Sequence, residues 1–272
     1  TAWIKYRDAH DYRGGGHFSG RLTAPLCFAG AVAAQFLEDY GITVGAHILS
    51  IGEIRDESFD ETGISRETLE EIQKKEFPVM DDEKGRQMQD AILEAKLSED
   101  SLGGIVECAV VGLPPGVGEP MFDGLENRLS AGIFAIPAVK GVEFGAGFLA
   151  AEMRGSENND GFLLAEEPEN FRECQGGKDE WNPCFLKTVT NHHGGILGGI
   201  SSGMPVIFRA ALKPTPSIGI SQRSVSLLKR EERQLSVEGR HDPCIVPRAV
   251  PCVEAAASVQ ILDLMSMGGF LK

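Results

Sequence analysis

The sequence predicts an α+β fold in one domain over residues 1–272. Three observations lead there. Apolar residues recur at helical spacing in some stretches and in strand-like alternation in others. The two kinds follow one another in mixed order, without the strict strand–helix–strand rhythm of a parallel sheet. The 272 residues, 42% hydrophobic and 24% charged, are enough for one large core, and no Pro/Ser-rich linker or internal repeat divides them.

In chain order, "LTAPLCFAGAVAAQFLEDYG" reads as a helix, with Gly41 as its stop. "ITVGAHILSIGEI" then has the β-branched alternation of a strand. A second helix is predicted over residues 82–97, where Met88, Ile92 and Ala95 share a face, followed by the strand "GIVECAVVGL" and the turn "PPGVGEP". Residues 253–267 read as a mostly apolar helix stopped by Gly268 and Gly269, broad enough in its apolar surface to be buried. The prolines of "EGRHDPCIVPRAVP" suggest extended or turned backbone just before it. The polar stretch 158–187 is expected to be a mobile loop.

Bulk properties exclude several function classes. A net charge of −14 argues against nucleic acid as a partner, so any anionic ligand must meet positive charge that is local. The acidic segments 56–71 and 157–173 read as solvated faces and loops. No run of eighteen apolar residues occurs, which predicts no membrane span, and "TAWIKYRDAH" lacks the pattern of a secretory signal. With no initiator Met, the sequence is expected to begin inside a longer chain. Cys27, Cys108, Cys174, Cys184, Cys244 and Cys252 form no C-x-x-C pair and read as reduced structural thiols of a cytoplasmic protein. Adjacent His192 and His193 have no third ligand at recognisable spacing, so no metal site is expected. G-x-S-x-G and S-x-x-K are missing, which argues against a serine hydrolase.

Four segments remain that suit ligand chemistry. "DYRGGGHFSGR" sets three glycines before a histidine, a serine and an arginine; it is either a surface loop or backbone that approaches a ligand closely. "GGILGGISSG" has neither dinucleotide-binding nor P-loop spacing, yet its glycines with Ser201 and Ser202 could expose N–H groups to an anion, or simply pack tightly. In "ALKPTPS", two prolines stiffen the chain around Lys213, Thr215 and Ser217, which suits a phosphate or a polar ring edge as well as a plain strand end. "EGRHDPCIVPRAVP" groups Arg240, His241 and Asp242 near Arg248, giving either a surface ion pair or a carboxylate that accepts a proton beside an anion-binding guanidinium.

Together "DYRGGGHFSGR", "GLPPGVGEPMFD", "IPAVKGVEFGAGF", "NHHGGILGGISSGMPVIFRAALKPTPS" and "GRHDPCIVPRAVPCVEA" resemble the chorismate synthases, in that family's order and along most of the chain. The resemblance implies a sandwich of helices and antiparallel β-sheets in two similar layers. It also implies an anti 1,4-elimination of phosphate from 5-enolpyruvylshikimate 3-phosphate, giving chorismate for aromatic amino acid biosynthesis, with reduced FMN as cofactor. The assembly implied is a homotetramer, with flavin reduced by an external supply. Matched position by position, Ser19, Gly20, Arg21, Pro137, Ala138, Gly198, Lys213, Pro214, Thr215, Pro216, Ser217 and Arg240 would contact flavin. Arg21 and Arg240 would also contact substrate, and Asp242 would be the carboxylate acting at the flavin N5. The family's opening G-E-S-H-G-type and R-P-x-H-A-D-type motifs are absent, so the expectation is an N-terminally incomplete member, and His10, His17 and His241 receive no role. A flavin-binding fragment of the same fold that does no chemistry is the alternative. A general phosphosugar-binding protein, which would need no flavin, is a further one.

Overall fold

The computed structural model describes residues 2–11, 15–164, 186–237, 239 and 242–271. Its helices are α1 (Ala2–Tyr6), α2 (Thr23–Asp39), α3 (Arg66–Gln73), α4 (Asp82–Leu97), α5 (Leu125–Phe134), α6 (Gly155–Asn158) and α7 (Val246–Met267). Its strands are β1 (Thr43–Ile51), β2 (Ile54–Arg55), β3 (Gly104–Val111), β4 (Val139–Phe144), β5 (Phe162–Leu164), β6 (Leu186–Thr188), β7 (Ile196–Leu197), β8 (Ile200–Ser201), β9 (Val206–Leu212), β10 (Gln222–Ser226) and β11 (Glu231–Leu235).

Five strands form one antiparallel sheet in the order β2-β1-β3-β9-β4; β5-β6, β7-β8 and β10-β11 are separate hairpins. The fold is therefore α+β with antiparallel sheets, as the sequence predicts. Of the two similar layers implied by the resemblance, the described residues build one extended sheet.

Strand alternation sorts the sheet into two faces. Val106, Cys108 and Val110 of β3, with Val206, Phe208, Ala210 and Leu212 of β9, join the main core beneath α7 and α5. On the opposite face, Ala109, Val111 and Ile207 meet Phe59, Leu69 and Ile72 from a strap, residues 56–81, that runs between β2 and α4 and carries α3. Ser65 caps α3 by accepting from Thr68 N, and Asp81 caps α4 by accepting from Glu83 N.

Helix α7 is longer than the sequence suggests, beginning at Val246 rather than 253. Pro247 falls in its first turn, where an amide would have no intrahelical partner, and this turns the expected extended segment into helix. Pro251 lies further in, and its neighbours Val250, Cys252 and Val253 are buried, so packing outweighs the lost backbone bond. Gly20–Asp39 and α7 are each long and apolar enough, by length and composition, to cross a bilayer, although neither is an unbroken apolar run. Core packing accounts for α7; α2 lays one side on α7 and leaves Phe28, Val32 and Phe36 exposed on another.

Contacts between α2 and α7 fix their direction. Cys27 Sγ lies 3.7 Å from Cys252 Sγ, and three residues on in each helix a Cβ at Gly30 would sit 2.3 Å from Ala255 Cα. The contacts advance together, so the helices run parallel and their N-termini open at the same end of the molecule. Of the stretch expected to be a loop, β5 and β6 pair at its base, and residues 165–185 lie outside the described residues.

Candidate functional site

Four chain segments are tied together at the end of the sheet where β9 finishes. Lys213 N donates to Ala138 O at 3.0 Å, bringing the entry to β4 beside the exit from β9. Ser101 Oγ donates to Thr215 O at 2.7 Å, and Leu102 N donates to Pro243 O at 2.7 Å. A bridge between Leu102 and Cys244 completes the link to the approach of α7. Pro137, Ala138, Lys213, Pro214, Thr215, Pro216, Ser217 and Asp242 therefore gather at one end. Because α2 and α7 are parallel, Ser19, Gly20 and Arg21, at the start of α2, lie at the level of α7's first turn. Ser19 Oγ accepts from Arg21 N at 3.2 Å, and Thr23 Oγ1 donates to Gly20 O at 2.6 Å, so this turn is fixed by its own side chains.

The charge needed for an anion is locally present. Two helices begin here, each directing the positive end of its dipole this way, while their first amides are taken up locally, Arg21 N by Ser19 Oγ and Arg248 N and Ala249 N by Ile245 O. Arg21 and Lys213 are exposed. Asp242 Oδ2 accepts from Arg248 Nη1 at 2.5 Å, so the aspartate expected beside an arginine is paired within the first turn of α7. Arg240 and His241 lie outside the described residues, as does Gly14.

Two details carry chemical information. Ala138 has φ +76°, a left-handed conformation that an alanine adopts only at a cost, held here by the bond to Lys213. Thr215 Oγ1 is buried and lacks a hydrogen-bond partner, between two prolines that fix its backbone. An orphan hydroxyl beside a lysine leaves a polar group ready for an incoming acceptor or donor.

Gly198 stands apart. It and Gly199, both with positive φ, make the tight turn of the β7-β8 hairpin, which is bound to the opposite end of the sheet. Leu125 N donates to Gly199 O at 2.7 Å and Gly116 N to Ser201 O at 3.0 Å, beyond the start of β9. With β9 seven residues long, that end lies roughly 20 Å from Lys213 at strand rise. Ser201 is consumed in the packing, donating to Pro114 O and accepting from Val117 N.

His192 and His193 fold around Asp160, which accepts from both of their backbone amides, and no metal-holding cluster occurs among the described residues. Cys27, Cys108, Cys244 and Cys252 are free thiols, and burial pushes Cys27 and Cys244 up to about 11. Cys174 and Cys184 lie outside the described residues. A cavity of about 190 Å³ opens on the strap face, with Arg209 and Glu143 paired at 2.9 Å across it.

Sequence reasoning missed a buried constellation. On β1, His47 sits between Asp56 and Glu107, although the acidic segment that starts at Asp56 reads as solvated. The available signal was a histidine inside an otherwise apolar strand. It also missed Ser101 and Leu102 as the connectors of the site, since neither residue type carries a signature for that task.

The chain matches the chorismate synthase family model over residues 1–266. It is 43% identical to the chorismate synthase of Lancefieldella parvula over 97% of this chain and 68% of that protein. To those of Methanothermobacter thermautotrophicus and Pyrococcus abyssi it is 42% and 45% identical, covering 65% and 67% of their lengths. A crystal structure of chorismate synthase superposes with a TM-score of 0.73 at 27% identity, over 97% of this chain and 69% of that one. The chain thus spans about two thirds of the length of these relatives. A match over nearly every residue, in sequence and in fold, establishes that this chain belongs to the chorismate synthase family of enzymes.

Proposed function

We propose that this chain catalyses the anti 1,4-elimination of phosphate from 5-enolpyruvylshikimate 3-phosphate to give chorismate, in the shikimate route to aromatic amino acids, at the end of the sheet where α2 and α7 begin. The observation that carries the reading is the gathering of Ala138, Lys213, Thr215 and Asp242 there by short backbone and side-chain links. The substrate carries two carboxylates and a phosphate, and Arg21, Lys213 and two helix N-termini supply fixed positive charge against them. Positive charge placed before reaction favours departure of phosphate most where water is scarce.

Reduced FMN fits these residues. Its phosphate and polar ring edge need donors beside a stiff backbone, and the orphan Thr215 hydroxyl, framed by Pro214 and Pro216 next to Lys213, offers them. Ser19, Gly20, Arg21, Pro137, Ala138 and Ser217 would complete the wall, with Arg240 as a further contact; Gly198, at the opposite end of the sheet, lies outside it. When bound, the reduced flavin supplies electron density as phosphate leaves. Asp242 would accept a hydrogen bond or proton from the flavin N5 position, and Arg248 holds the carboxylate in place. We also infer a homotetramer, for which the exposed apolar side of α2 is a suitable surface, and flavin reduction by an external supply.

Titration of FMN into the protein, followed by flavin fluorescence, tests the site. Lys213→Ala and Arg240→Ala should each weaken binding of flavin or substrate severalfold, and unchanged affinity for both would remove those residues from it. The alternative reading is flavin binding without turnover. It predicts a perturbed flavin spectrum with no chorismate.

A further inference from the structure

His47 is fully buried on β1, and both of its ring nitrogens face carboxylates. Nδ1 lies 3.3 Å from Asp56 Oδ2, and Nε2 lies 3.0 Å from Glu107 Oε2. Each carboxylate is already accepting backbone amides of the strap. Asp56 receives Met80 N at 2.6 Å and Asp81 N at 3.0 Å, closing the base of the strap; Glu107 Oε2 receives Phe59 N at 2.8 Å. The Phe59 ring packs against the imidazole at a tilt of 56°, with centroids 4.4 Å apart.

A neutral imidazole has one N–H, so one bare nitrogen would point at an oxygen of an acceptor-only carboxylate. Two buried carboxylates without a counter-charge would also carry a large desolvation cost. We propose that His47 is held as an imidazolium and that this buried charge pins the 56–81 strap to the sheet, so that closure of the strap titrates with His47.

The surroundings of the ring support this. The carboxylates acting on it are Asp56, which follows β2, and Glu107 on β3. Beyond Glu107, Arg209 stands opposite it on β9, paired with Glu143, and the charges of both Glu107 and Arg209 are felt at Glu61 of the strap. Helix α3 meets β1 with Leu69, packed over Gly45, while Glu254 of α7 accepts from Ala46 N. Burial alone would push the imidazole down, but its hydrogen bonds to Asp56 and Glu107 outweigh that and hold it above the ordinary 6.5. Because the folded value is raised, the strap is fully pinned below pH 6.5. It loosens as pH rises from there through the folded value, since opening then releases a proton.

The test is hydrogen exchange of the strap between pH 6 and 9, corrected for intrinsic exchange, together with ¹⁵N NMR of the His47 ring in the wild-type protein. The expected result is an imidazolium at pH 6 and a strap-opening equilibrium that rises about tenfold per pH unit within the titration window, as release of one proton requires. His47→Gln should show weak strap protection with no such pH dependence, and Glu107→Gln should move the ring's titration to lower pH. A neutral ring at pH 6, or strap opening that stays flat in the wild type across this range, overturns the proposal. Both decisive readings come from the wild-type chain, so a variant that fails to fold leaves the test intact.

Discussion

Asp242 and Ala138 show how differently single residues reveal themselves. Asp242→Asn keeps the shape of the side chain but removes its basicity, so turnover should fall by roughly 10²- to 10⁴-fold while flavin affinity holds; equal turnover would take away its role. Ala138 is held at φ +76° by its neighbours. Ala138→Gly should raise stability by about 1 kcal/mol, because the left-handed penalty disappears, and a thermal melt that fails to rise would mean the conformation costs nothing. The pairing of Asp242 with an arginine was legible in the sequence, because an acid between arginines and prolines stands out. Ala138 was not, since alanine has no left-handed signature, and only the link to Lys213 explains its backbone. His47 was hidden for another reason: its charge makes sense only with Asp56 and Glu107, which reach it from other segments.

Helices and strands were read most securely where one local pattern dominates. The helix over residues 82–97 was legible to the residue, because its cap, its periodic Met88 and Ala95 and its terminal Lys96 agree. The start of α7 was misread because prolines that favour turns in isolation are tolerated in a first turn and outweighed by packing in a second. Nor could the parallel arrangement of α2 and α7 be read from either helix alone. It rests on Gly30, where an added methyl would meet Ala255 Cα and Cβ at 2.3 Å. Gly30→Ala should force the helices apart at a cost of about 1–3 kcal/mol and weaken flavin binding with it, because both helix starts serve the same site. Urea unfolding alongside flavin titration reads both effects, and loss of stability with full affinity would separate the packing from the site.

Across the whole molecule, charge burial sets the pH limits of the fold. On the acid side Asp56 matters most clearly: burial pushes its pKa up, but the bonds from His47, Asp81 N and Met80 N outweigh that and hold it below its ordinary 3.8. Its contribution is therefore complete above that value and is lost as pH falls through the folded one. Stability from urea unfolding should drop below pH 4, and Asp56→Asn should flatten that drop; an unchanged slope would show that other carboxylates govern acid unfolding. The central claim concerns chemistry at the end where α2, α7, β4 and β9 converge. It is tested most directly by an anaerobic assay with reduced FMN and 5-enolpyruvylshikimate 3-phosphate, following chorismate absorbance and the flavin spectrum in one cuvette. The account predicts chorismate formation with catalytic flavin. A perturbed flavin spectrum without chorismate would contradict the proposed turnover and leave a binding fold alone.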